Sequence, residues 1–270
     1  MPLKVLIAGK GGTGKTTTSA LLSFFLSSRG LRVLALDTDS VPNLAQALGV
    51  PRDRALKIVP LTKNDEFVAE RTGAKPGEAW GVFFRLNPRV DDIADRFSLR
   101  VRDNLRLVVV GSIDAAKEGC LCPAIALARA FLKHVMMDER EAVVVDSEAG
   151  AEVFGRGLAE NFDHMICVSE PTVKSLDISF KLMEMGKSLG IGRTDLLVNK
   201  VPPNRAEAIR RKVLDECSRR DVRAFFIPYD ENFFLGEMEG RGVDTYPSNS
   251  PGVVAMNEAF SEIFNYFLRR

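Results

Sequence analysis

Apolar residues run along this chain in short blocks, separated by longer stretches in which they recur every three or four positions. The blocks Leu3–Ala8, Val33–Leu36, Leu105–Val110, Ala142–Val145, Met165–Val168, Leu196–Val198 and Phe225–Ile227 are rich in Val, Ile and Leu, and most lack in–out alternation. Strands of that kind are apolar on both faces, as in a parallel sheet covered by helices on both sides. Between them the periodicity predicts helices over Lys15–Ser28, Pro123–Met137, Val173–Leu189, Ala206–Arg219 and Val253–Leu268. Pro123 can occupy a first helical turn without losing a hydrogen bond, and Gly30 and Gly190 stand where helices should stop. The alternation predicts an α/β fold, a doubly wound and mostly parallel sheet flanked by helices, as one domain over residues 1–270. Residues 52–106 break the rhythm. They are charged, with Gly and Pro scattered through Thr72–Glu78, and read as an irregular insertion with some short helix.

Composition narrows the picture. The 270 residues are 46% hydrophobic and 27% charged, which excludes disordered, collagenous and coiled-coil classes. Lys plus Arg number 37 against 36 Asp plus Glu, so no whole-molecule nucleic-acid or membrane footprint is expected. No apolar run approaches the ~20 residues of a membrane-spanning helix, and the N-terminus carries no signal-peptide pattern. Four Cys in a chain this long do not make a disulfide framework, so a cytoplasmic location is expected.

Gly9-Lys10-Gly11-Gly12-Thr13-Gly14-Lys15-Thr16-Thr17 follows the first strand and opens the first helix. It satisfies the G-x-x-x-x-G-K-S/T phosphate-loop pattern. Its glycines let successive backbone N–H groups of Gly11 to Thr17 converge on phosphate oxygens of ATP or ADP without Cβ clashes. Lys15 is placed to reach the β and γ phosphates and Thr16 to offer a hydroxyl to Mg²⁺. Lys10 is the informative addition. A lysine at this second loop position resembles the deviant Walker A group of partition, septum-site and nitrogenase-iron-protein ATPases, of the SIMIBI type. The resemblance implies that Lys10 contacts the nucleotide held by the other subunit of a homodimer.

Further features fit that group. Asp37-Thr38-Asp39-Ser40 follows the second strand, and carboxylates there lie beside the phosphate site of an open parallel sheet. Asp39 resembles the switch I aspartate that orients the attacking water, while Asp37 is expected to hydrogen-bond near the P-loop. Related ATPases carry proline where this chain has Ser40. Asp146-Ser147-Glu148-Ala149-Gly150 follows an apolar strand, as in a Walker B and switch II segment, with Asp146 on Mg²⁺ and Glu148 read as surface charge. Taken alone, Asp146 could equally cap a helix. Asn199, at a strand end, and Pro228-Tyr229, after the last strand, resemble adenine contacts.

Cys120-Leu121-Cys122-Pro123 precedes a predicted helix. An extended segment puts both sulfurs on one side, and the helix start favours thiolate. Two thiolates are half of a tetrahedral or square-planar site, which a two-fold dimer would complete. Buried structural cysteines or a redox pair fit the spacing as well. Cys167 and Cys217 read as core, and His134 and His164 as structural or surface. The loop, the D-S-E-A-G string and the cysteine pair together resemble the CooC family of nickel-insertion ATPases for carbon monoxide dehydrogenase. So do Glu70-Arg71-Thr72-Gly73, Leu86-Asn87-Pro88-Arg89-Val90-Asp91 and Ser169-Glu170-Pro171. That family implies an ATP- or metal-promoted homodimer whose paired Cys-x-Cys motifs bind Ni²⁺ or Zn²⁺, with carbon monoxide dehydrogenase or a related nickel enzyme as client.

The alternatives are a ParA-type partition ATPase and a MinD-type positioning ATPase. Arg205–Arg223 holds seven Lys/Arg against four acidic residues, more in keeping with a solvated helix face than a DNA surface. Phe260, Ile263, Phe264 and Phe267 follow helical spacing, which predicts docking on the sheet rather than a membrane anchor.

Overall fold

The computed structural model describes residues 3–77, 83–112, 122–135, 141–148 and 162–268. Eight strands form one sheet: β1 (Leu3–Gly9), β2 (Arg32–Asp37), β3 (Leu99–Arg102), β4 (Leu105–Val109), β5 (Glu141–Asp146), β6 (His164–Ser169), β7 (Arg193–Val201) and β8 (Arg223–Pro228). Their spatial order is β3-β4-β2-β5-β1-β6-β7-β8, parallel throughout except for β3, which runs antiparallel to β4 at the edge. From the central β1 the chain passes to β2 on one side and later to β6 on the other. Such a sheet opens a crevice beyond the C-terminal ends of its central strands.

The uninterrupted apolar blocks follow from helices on both faces. Leu3, Val5 and Ile7 pack with α1 (Lys15–Ser28), α2 (Leu44–Ala47) and α10 (Pro251–Ile263), whereas Leu6 and Ala8 pack on the opposite face. That second face is covered by α4 (Asp65–Thr72), α5 (Ile93–Phe97), α6 (Cys122–His134), α7 (Val173–Ser188) and α8 (Ala206–Ser218). The remaining helices are α3 (Arg52–Ala55), α9 (Glu231–Glu239) and α11 (Asn265–Leu268).

Three elements differ from the sequence expectation. The charged stretch contributes a strand: Leu99 and Val101 face the sheet side and Arg100 and Arg102 face solvent, the short arginine-bearing form in which an open edge resists further pairing. Helix α9, not foreseen, is capped by Asp230, whose Oδ1 accepts from the Asn232 N–H at 2.9 Å, and ends at Gly240. The last predicted helix is two, α10 and α11, separated at Phe264.

Phe260, Ile263 and Phe264 are buried against the sheet, as expected, and Phe260 meets Phe25 of α1 with ring centroids 5.6 Å apart. The apolar face of α10 is therefore consumed by the core. Among the described residues no helix is long and apolar enough to cross a membrane. Cys167 and Cys217 are core residues, and His164 is buried with Nε2 2.6 Å from Asp195 Oδ2, while His134 is exposed. Replacing Phe260 by Ala should cost about 3–5 kcal/mol of folding stability, read from the midpoint of denaturant unfolding. A loss below 1 kcal/mol would mean that α10 does not dock as described.

Candidate functional site

The C-terminal ends of β1, β7 and β8 frame a cleft of about 390 Å³. Its floor is the loop between β1 and α1, where Gly11, Gly12, Gly14, Lys15, Thr16 and Thr17 all line it. Two glycines are steric necessities there. Gly9 has φ +146°, and a Cβ on it would strike the Val168 carbonyl of β6; Gly14 has φ +98°, and a Cβ on it would strike the Asn199 amide.

A phosphate loop points its N–H groups inward, so its carbonyls need partners elsewhere. Here they are supplied from within the loop and from the end of β7. Thr13 Oγ1 donates to the Lys10 carbonyl at 2.9 Å, and Lys15 Nζ donates to the same oxygen at 3.3 Å. Asn199 Nδ2 donates to the Thr13 carbonyl at 2.9 Å, and Lys200 Nζ to the Gly12 carbonyl at 2.6 Å. Glu170 from the end of β6 holds Lys200 at 2.8 Å. Thr13 is thus fully buried and braces the loop rather than lining the cleft. Lys10 is exposed and also outside the cleft lining, free of the intrasubunit phosphate site.

Asp39 lines the cleft, with Oδ1 accepting from the Val41 N–H at 3.0 Å. Asp146 ends β5 beside Asp37 at the end of β2, the two being register partners. Ser19 of α1 donates to Asp146 Oδ1 at 3.0 Å. Burial is the largest influence on Asp146 and lifts its pKa, against the pull of Thr16, Ser19 and Lys15. Burial likewise lifts Asp37, and the neighbouring Asp146 charge adds to it. The Lys15 ammonium is shifted down by burial, with Asp146, Asp39 and Glu148 opposing.

Two expectations are corrected by this geometry. Asp37 does not serve the P-loop: its oxygens accept from the N–H groups of Asp39 at 3.1 Å and Leu44 at 2.9 Å, so it shapes the turn that carries Asp39. Glu148 is not a free surface charge, because Oε1 accepts from Ser40 Oγ at 2.8 Å and Oε2 from Ser112 Oγ at 3.3 Å.

On the base side, Asn199, Pro228 and Tyr229 line the cleft as expected, joined by Phe233, Phe234 and Glu237 of α9. The Tyr229 N–H donates to the Val201 carbonyl at 2.8 Å. Asp230 ties α9 to the start of α10 through Ser250 and the Gly252 N–H. Sequence reasoning missed the loop-supporting roles of Lys200 and Glu170. The one signal is backbone: Lys200 takes φ +57°, a conformation costly for a side-chain-bearing residue and visible only in the fold. Cys120 lies outside the described residues, and Cys122 enters as the first position of α6.

A glycine-rich loop between a central strand and a helix, a buried lysine within it and a carboxylate at the neighbouring strand end define this chain as a P-loop ATPase. Residues 4–243 match the CobQ/CobB/MinD/ParA nucleotide binding domain, and the chain belongs to that family. It is 37% identical to an uncharacterised ATP-binding protein of Methanocaldococcus jannaschii over 99% of this chain and 98% of that one. It is 40% identical to the carbon monoxide dehydrogenase accessory protein CooC of Rhodospirillum rubrum over 199 residues, 74% of each chain. The fold matches the Pyrococcus furiosus cell division ATPase MinD with a TM-score of 0.67 at 22% identity, over 98% of this chain and all of that one.

The raised pKa values make the fold sensitive to pH, with a definite sign. Burial and their mutual repulsion push the Asp37–Asp146 pair up, to about 7 and about 6, against roughly 4 when unfolded. The folded state therefore holds protons that the unfolded state releases. The stabilisation present below pH ~4 is lost as pH rises through about 6 to 7. The thermal midpoint of the nucleotide-free protein should fall between pH 5 and pH 8. Asp146→Asn keeps an oxygen for Ser19 but removes the like charge beside Asp37, and should flatten that fall. An unchanged slope in the variant would show that Asp146 is not held raised in the fold.

Proposed function

We propose that this chain is a nucleotide-controlled homodimeric metallochaperone of the CooC type, which hydrolyses ATP and delivers nickel to carbon monoxide dehydrogenase or a related nickel enzyme in the cytoplasm. The observation that carries the proposal is the 40% identity with CooC across three quarters of both chains, together with a Cys-Leu-Cys-Pro motif at the head of α6. No observation favours the partition or positioning reading over it: the likeness to MinD concerns the fold, and the apolar face of α10 is already occupied.

In this reading backbone N–H groups of Gly11 to Thr17 bind the phosphates, and Lys15 neutralises the β and γ groups. Mg²⁺ suits the donors present: a buried carboxylate at Asp146, acted on by the Lys15 charge, and the Thr16 hydroxyl bonded to it. Mg²⁺ takes hard oxygen ligands, few of them from protein. Bound there it would screen charge on the transferring phosphoryl group. Asp39, on the cleft wall, orients the attacking water. Asn199 retains an amide hydrogen and its oxygen for adenine, and Pro228-Tyr229 flank the base. Lys10, exposed and clear of its own cleft, reaches the phosphates of the partner subunit.

Lys15→Ala should lower hydrolysis by on the order of a hundredfold or more, since it removes a charge aimed at the transferring group. Lys10→Ala should retain most nucleotide affinity yet lose the ATP-dependent mass increase in light scattering. A wild type that stays monomeric at high ATP, with or without metal, would sink the two-subunit mechanism.

The nickel is cargo, and its stoichiometry tests the central claim. Each chain offers two thiolates at Cys120 and Cys122, so one tight Ni²⁺ or Zn²⁺ per dimer is expected, square-planar or tetrahedral respectively. Affinity should fall as pH drops, because thiols must lose protons to bind. The double change to Ser should remove tight binding and leave ATP hydrolysis in place. One tight metal per monomer, or binding that survives the double change, would overturn the reading.

A further inference from the structure

The sheet ends at β3, and the outer side of that strand meets no other segment among the described residues. A strand in that position keeps a row of N–H and C=O groups facing outward. β3 pairs with β4 at Leu99, Arg100 and Arg102, and the register shifts between Arg100 and Arg102. A shift of that kind re-aims the side chain that follows it. Arg102 stands opposite Leu105, and its guanidinium lies 4.2 Å from the centroid of the Phe24 ring on α1. Beside it a notch of about 170 Å³ opens between the strand edge and the turn joining α2 to α3. All four residues of β3 line this notch, together with Arg54 of α3 and Asp244.

The notch is cationic, and its cations are lightly held. Arg54 is exposed and its side chain makes no ion pair or hydrogen bond among the described residues. Arg100 pairs with Asp103, three positions on, and keeps 70% of its side-chain surface exposed. Arg102 meets Asp244 only at 3.9 Å and keeps 50%. Ion pairs this exposed hold little energy, so the guanidinium groups remain available to a carboxylate from outside. Asp244 is the single acid in the lining, against Arg54, Arg100 and Arg102.

The same arginines that keep this edge from pairing with another copy of itself set the charge of what it accepts. Two such edges would bring like charges together, whereas an acidic strand would meet opposite ones. The open edge asks for both donors and acceptors, which a polypeptide backbone supplies. A phosphate backbone offers acceptors alone and leaves the strand carbonyls unpaired. We propose that β3 and the Arg54 notch form a docking edge for an extended acidic segment of a partner protein. The segment adds to the eight-stranded sheet beside β3 and sets its carboxylates on Arg54 and Arg102. The four residues of β3 span about 13 Å, so the segment is short and its affinity modest. This edge lies outside the nucleotide cleft and does not involve the cysteines, so it stands independently of the metal reading.

The probe is a short fluorescent peptide of alternating glutamate and valine, titrated into the full chain and read by anisotropy. Binding should weaken as salt is raised, and it should slow amide hydrogen exchange over residues 99–102. Arg54→Gln and Arg102→Gln should each lower affinity about three- to tenfold, the worth of one net hydrogen bond, and leave ATP hydrolysis unchanged. Methylating alternate backbone nitrogens of the peptide removes donors but no carboxylate, and should abolish binding. Failure of the acidic peptide to bind would overturn the proposal, as would equal binding of a lysine–valine peptide. So would full affinity in both arginine variants, or retained affinity of the methylated peptide. Slowed exchange at residues 99–102 with a single-stranded oligonucleotide, and not with the peptide, would assign the edge to nucleic acid instead and overturn it too.

Discussion

The site depends on where the P-loop carbonyls go. A loop that turns its N–H groups toward a phosphate turns its carbonyls away, and a buried carbonyl left unpaired would cost as much as the loop could gain from binding. Thr13 and Lys15 satisfy Lys10 from inside the loop, while Asn199 and Lys200 satisfy Thr13 and Gly12 from the end of β7. Consecutive residues of one strand thus hold consecutive carbonyls of another element. The same constraint explains why Gly14 must be glycine, since the Asn199 amide occupies the space a Cβ would need. It also explains the left-handed backbone at Lys200, a local cost set against a charge-assisted bond from its ammonium to Gly12.

Once the loop is fixed, Lys15 becomes a cation with little access to water, and its surroundings follow from that. Three carboxylates influence it, and the one in deepest burial, Asp146, is raised in pKa by the same desolvation that lowers Lys15. Burial favours the neutral form of both partners, while their mutual attraction favours the charged pair.

The sheet was legible because parallel strands buried on both faces must be apolar at every position, and seven such blocks stand out in the sequence. The strand Leu99–Arg102 was hidden by its place at an edge, where one face and one side meet water and arginines are favoured. Helix α9 was hidden because Phe234 and Met238 are exposed and only Phe233, which also lines the cleft, packs partly on the core, so no apolar stripe forms. Among site residues, the P-loop and Asp146 could be read from local spacing. Glu148 could not, because its meaning lies in Ser40 and Ser112, each more than thirty positions away in the chain. Asp37 was misread for a similar reason. Its partners, Asp39 and Leu44, form a turn whose path the sequence does not specify.

Asp37 also bears on how a nucleotide site and a cysteine motif could work together. Its backbone carbonyl accepts from the N–H groups of both Val110 and Gly111, at 2.8 and 3.1 Å, and so pins the exit of β4 to the exit of β2. Ser112, the next residue, is held by Glu148. The segment of chain that goes on to Cys120 therefore departs from the sheet at the point where the Asp39 turn and the Asp146 turn meet. In the nickel-insertion reading, no long relay through the core is required. Movement of the Asp39 turn on binding a triphosphate would act directly on the root of the cysteine segment, through one carbonyl and one carboxylate. A coupling of this kind needs two arrangements of the root with different affinities for the nucleotide.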